Sequence, residues 1–113
     1  MDITFADKKL QKIVNDDREM VKEFGKVRFE KIRKRLTQLQ DAVTLESVRD
    51  LPGNYHELTG DRKGQWACDL DQPYRLIFEP HENPIPENEH GQYIWLKIEG
   101  VEIIEIVNYH KEK

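Results

Sequence analysis

Apolar and polar residues first alternate at Ile3 and Phe5, which predicts a short opening strand. Asp7 stands as the N-cap of a helix carrying Leu10, Ile13 and Val14 on one face, and Asn15-Asp16-Asp17 interrupts it. A longer helix is predicted over residues 18–40. Its apolar positions Val21, Phe24, Ile32, Leu36, Leu39 and Val43 step by 3, 8, 4, 3 and 4, with Arg28 in the gap. Residues 44–51 suit a short helical turn stopped by Pro52-Gly53. Beyond it, three strands are predicted at residues 55–59, 65–70 and 74–79. Hairpin-length turns at residues 60–64 and at Asp71-Gln72-Pro73 join them into an antiparallel meander. In the second of these strands Trp66, Cys68 and Leu70 share one face.

Residues 80–96 contain Pro80, Pro84 and Pro86 and read as a surface insertion, ordered at Ile94-Trp95-Leu96. Residues 101–107 (Val-Glu-Ile-Ile-Glu-Ile-Val) are partly apolar on both faces, so they predict a last strand inside the sheet. A charged tail occupies residues 111–113. Two helices ahead of a mostly β remainder predict an α+β fold, a helical hairpin laid on an antiparallel sheet.

The length of 113 residues suits one domain, and 37% hydrophobic against 35% charged residues supports one modest core under a polar surface. The net charge of -4 argues against a general nucleic-acid coat, because such binding needs Lys and Arg to neutralise phosphates. Charge is uneven, however. Residues 1–63 hold 14 Lys/Arg against 12 Asp/Glu, while residues 64–113 hold 4 against 10. Residues 26–35 alone carry six cations and only Glu30 as an anion. Arg28, Lys31 and Arg35 fall on one edge of the predicted helix, as either a solvated face or a phosphate-contacting ridge.

Cys68 is the only cysteine, which excludes an intrachain disulfide and a multi-cysteine zinc knuckle and suits a small core residue. The N-terminal residues lack the pattern of a signal peptide and no apolar run is long enough for a membrane helix, so a cytoplasmic protein without membrane contact is expected. There is no glycine-rich phosphate loop and no nucleophile elbow. The histidines His56, His81, His90 and His110 lack paired metal-ligand spacing, so neither a metal nor a cofactor is expected. His81 and His90 read as solvated loop residues.

His56 and His110 each follow a tyrosine in or at the end of a predicted strand. They either serve the sheet and the tail or point to one concave surface. Arg75 lies inside a strand, where it needs a partner. It either pairs with a carboxylate such as Asp69 or Glu102, or offers a planar fork to a phosphate. Arg62 and Lys63 put two cations on a hairpin tip.

The run Tyr55-His56-Glu57-Leu58-Thr59-Gly60-Asp61-Arg62-Lys63-Gly64-Gln65-Trp66, then Tyr74-Arg75-Leu76-Ile77-Phe78 and a terminal Tyr109-His110, resembles the RelE/ParE superfamily of toxins. The likeness is greatest to its HigB branch, the plasmid-maintenance killer proteins, and covers nearly the whole chain. It implies a small α+β microdomain and a toxin of a type II toxin-antitoxin system. The activity implied is a ribosome-dependent mRNA endonuclease that cuts in the A site by metal-independent attack of the 2′-OH. The partners implied are the ribosome, mRNA and a cognate antitoxin of helix-turn-helix type, with operator DNA reached only through that antitoxin.

By the same resemblance His56 and His110 carry the proton transfers, Arg75 stabilises the phosphorane and Tyr109 stacks on or orients the nucleotide. Thr59, Arg62, Lys63, Asn108, Arg28, Lys31 and Arg35 are the implied RNA contacts. Asn108 stands where the branch has an aspartate, and Thr59 stands where some members have lysine; either change weakens catalysis or shifts load to Lys63. Two other readings use the same fold: a ParE-like inhibitor of DNA gyrase, and a decayed interaction module. An A-site nuclease needs a basic face rather than a basic total, so weak binding to free RNA is expected.

Overall fold

Asp7 caps the first helix from the position the sequence predicts. Its side chain accepts from the Lys9 N–H at 2.8 Å, and α1 runs Lys8–Val14. In this computed structural model, which describes residues 1–109, the predicted long helix is two: α2 (Asp17–Phe24) and α3 (Lys26–Asp41). Gly25 divides them at φ 82°, a conformation that a side chain disfavours, so it ends one helix and starts the next. The 8-residue step from Phe24 to Ile32 marks that break. The helical layer therefore has three helices rather than a hairpin. Val43, expected on the apolar stripe, lies past the end of α3 and is 77% exposed.

Five strands, β1 (Asp2–Phe5), β2 (His56–Glu57), β3 (Trp66–Asp69), β4 (Tyr74–Pro80) and β5 (Gly100–Asn108), form one sheet in the order β1-β5-β4-β3-β2. The meander is antiparallel as predicted, and only the β1–β5 pair is parallel. The strand expected at residues 55–59 pairs over His56–Glu57 alone. The last strand does lie inside the sheet, between β1 and β4. No helix of the described residues is long and apolar enough to cross a membrane.

Alternation sorts the sheet into two faces. Trp66, Cys68, Leu76, Phe78, Val101 and Ile103 point to the helices, where Met20, Ile32, Leu36 and Leu39 complete the core. Cys68 is buried, as expected of a small core residue. Register places His56, Ala67, Ile77 and Glu105 in one row across the opposite face, open in that α1–α3 do not cover it although Ala67 and Ile77 are buried, with Asp69, Arg75 and Val107 in the next. A β-bulge interrupts the alternation in β5: Ile77 faces Glu105 while Phe78 faces Ile103, leaving Ile104 as the extra residue.

The proline-rich segment is more than a surface insertion. Trp95, in a 3-10 turn over Trp95–Lys97, is buried edge-on against Trp66 at 5.4 Å. Tyr93 packs on Trp95 at 5.2 Å, and Ile85 lies against Gly64 in the turn that carries Arg62 and Lys63.

Candidate active site

Arg75 and His56 reach the open face by strand register, one from the middle of β4 and one from the short edge strand β2. One strand, β3, lies between theirs, which sets them roughly 10 Å apart across the sheet and in neighbouring rows. The Arg75 guanidinium stacks on the Tyr109 ring at 3.6 Å. The Tyr109 N–H donates to the Pro73 carbonyl at 2.8 Å, which ties the ring's backbone to the β3–β4 turn. Neither carboxylate expected as a partner pairs with Arg75: Asp69 lies directly across from it without an ion pair, and Glu102 lies nearer the other end of the face. Stacking fixes the plane of a guanidinium while leaving its N–H donors at the edge.

His56 is oriented by its own turn. Its Nδ1 lies 2.7 Å from the carbonyl of Asn54, itself at φ 55°. A carbonyl only accepts, so Nδ1 is the donor in this contact and Nε2 is the nitrogen left to face a ligand.

Arg62 reaches the same face from the Gly60–Arg62 turn. It donates to Gln65 Oε1 at 2.9 Å and to Glu105 Oε2 at 3.2 Å, and Gln65 in turn donates to Glu79 at 3.4 Å. Lys63 is exposed, with its ammonium 5.7 Å from the centre of the Tyr93 ring, and Thr59 is exposed just before the turn. Lys63 also borders a cavity of about 300 Å³ that includes Glu79, His81, Glu82 and Glu102.

The helical cations part company with this group. Arg35 is only 6% exposed: its Nε donates to the Asp69 carbonyl at 2.7 Å, and its Nη1 to Gln38 at 3.1 Å and the Pro52 carbonyl at 3.2 Å. A guanidinium built into the core this way is not available to RNA, and that expectation is corrected. Arg28 forms a two-point pair with Asp71 at 3.0 and 3.2 Å and lies 3.4 Å over the Tyr74 ring, so it fastens α3 to the β3–β4 turn. Lys31 is half-buried on α3. All three stand on the helical layer, away from His56 and Arg75.

Register sets Asn108 opposite Tyr74, in the row alternate to Arg75. His110 and the tail lie outside the described residues. His81, expected to be solvated, is exposed but shares a hydrogen bond with Thr4 at 2.8 Å.

Among the described residues no group of three or more His, Cys, Asp or Glu side chains could hold a metal ion. The chemistry present is an imidazole, two guanidiniums and an aromatic ring on one face, a set that suits an anionic, planar-ringed ligand. Glu105 escaped sequence reasoning. Its spacing of three from Glu102 puts the two on opposite faces of a regular strand, and only the bulge at Ile104 brings both to the open face. The chain matches no protein-family model and no curated protein.

Proposed function

We propose that the chain is a RelE/ParE-superfamily toxin of the HigB-like branch, acting in the cytoplasm as a ribosome-dependent mRNA endonuclease. The observation that carries this reading is the sharing of one open face by His56, Arg75 and Tyr109, with the Arg75 guanidinium stacked at 3.6 Å on the ring. The α+β layout puts α1–α3 on the other face, so this is the face that a single strand of RNA would meet.

In this reading a nucleobase stacks beside Tyr109 and the scissile phosphate meets Arg75. The His56 Nε2 takes the 2′-OH proton as the oxygen attacks the adjacent phosphorus. Charge that builds on the non-bridging oxygens is met by the Arg75 N–H groups. The bond to the 5′ oxygen breaks, and that oxygen takes a proton from the second imidazole, His110. The products are a 2′,3′-cyclic phosphate and a 5′-OH end. An adjacent antitoxin gene of helix-turn-helix type belongs to the same reading.

Expression of the chain in bacteria is expected to arrest growth, and His110→Gln is expected to abolish the arrest while the protein still folds. Unchanged toxicity of His110→Gln would refute its role. Inhibition of DNA supercoiling by gyrase, without mRNA cleavage, would move the chain to the ParE-like reading.

A further inference from the structure

Arg62 is held at two nitrogens by groups from different parts of the sheet. Its Nη1 donates to Gln65, just before β3, and its Nη2 to Glu105 on β5, with β4 lying between the two strands. The side chain therefore spans the open face between the His56 and Arg75 positions and the acidic end at Glu79 and Glu102. We propose that Glu105 is a positioning residue of this site, whose carboxylate fixes the Arg62 guanidinium as a second phosphate-binding group. The inference rests on the RNA-cleaving reading given above and extends it to a residue that never touches the substrate.

Three observations carry it. Glu105 faces this side because of the bulge alone; regular alternation from Ile103 would send it to the helices. Bulges of this kind re-aim a side chain at a working surface. Next, the pair is partly exposed, 26% for Arg62 and 47% for Glu105. Ion pairs in such settings contribute little to stability, so holding the fold together is a poor account of it. Finally, a carboxylate beside an incoming phosphate is adverse unless its charge is spent on a cation. Here it is spent on a planar group whose five N–H donors lie in one fork, which two anchors keep in a fixed plane.

The test titrates a short single-stranded oligoribonucleotide into the full chain at low salt, followed by NMR, for the unaltered protein, E105Q, E105D, R62A and the double variant. E105Q is expected to weaken binding about three- to tenfold, with E105D weakened less and thermal midpoints unchanged. R62A should weaken binding as much, and E105Q should then add nothing in the R62A background. Both single losses should lower the slope of log affinity against log salt by about 0.7, the signature of one phosphate contact on a single strand. Equal or tighter binding by E105Q would overturn the inference, because the carboxylate would then merely neutralise Arg62. So would an undiminished effect of E105Q in the R62A background. No binding by the unaltered chain would refute the RNA reading itself, whereas binding that E105Q leaves untouched refutes the positioning role alone.

Discussion

Replacing Arg35 with alanine separates a structural guanidinium from an RNA-contacting one. The side chain makes three hydrogen bonds from a buried, charged group, to the Asp69 carbonyl, Gln38 and the Pro52 carbonyl. The Pro52 carbonyl keeps a donor, because Gln38 Nε2 lies 3.0 Å away. The Asp69 carbonyl loses its 2.7 Å partner, and a cavity opens beside Gly53, where Arg35 fills the space a Cβ would take. The lost charge-assisted bonds and the cavity together cost about 2–4 kcal/mol. At roughly 2.1 cal/mol/K per residue over the 113 residues, that is a fall in Tm of about 8–17 °C. Arg35→Lys should recover little, since one ammonium cannot match a fork aimed at both carbonyls. Urea denaturation and calorimetry of the two variants measure the effect. A loss below about 0.5 kcal/mol, the range of an ordinary surface substitution, would refute the core role and return Arg35 to the RNA-contacting ridge.

Burial pushes the Cys68 thiol up to about 12 from its ordinary 9.0, chiefly by desolvation. The folded chain thus keeps a proton that the unfolded chain releases. This stability is full below about pH 9 and declines by roughly 1.4 kcal/mol per unit until it is lost as pH passes about 12. Tyr55, also pushed up by burial, adds its own decline above about pH 10. Urea titrations near pH 8, 9.5 and 10.5 should show a shallower fall for Cys68→Ala, and equal slopes would contradict the assignment. Trp95→Ala removes the buried ring that fastens the proline-rich segment to Trp66 and should cost about 3–5 kcal/mol in urea denaturation; a loss under 1 kcal/mol would make the segment a detachable insertion after all. Tyr109→Phe keeps the ring under Arg75 and should retain most cleavage, while Tyr109→Leu should lose it, as read by RNA product analysis. Equal activity of the two would remove the stacking role.

The elements were legible where one periodicity or one cap dominates. Asp7 marked the first helix, and alternation at Trp66, Cys68 and Leu70 marked the buried face of the meander. His56 and Arg75 share the open face because both obey that same period of two. Failures came where a local exception overrode the period. Gly25 broke a helix that the apolar stripe carried straight through, while Arg28, Lys31 and Arg35 stayed together on α3. The composition of residues 26–35 signals charge but not its destination, and Arg35 went inward because backbone carbonyls of Asp69 and Pro52 awaited it there. The bulge at Ile104 hid Glu105, since the extra residue shows only in the pairing with Ile77 and Phe78. Proline content suggested a surface insertion over residues 80–96, yet Trp95 draws that segment into the core.

The decisive experiment is cleavage of a defined mRNA on translating ribosomes by the purified chain, mapped by primer extension. Cuts are expected in the A-site codon, with cyclic-phosphate and 5′-OH ends and a loss of about 100-fold or more in Arg75→Ala, the scale of one removed oxyanion donor. An uncut message, or cutting that Arg75→Ala leaves unchanged, would contradict the RNA-cleaving reading.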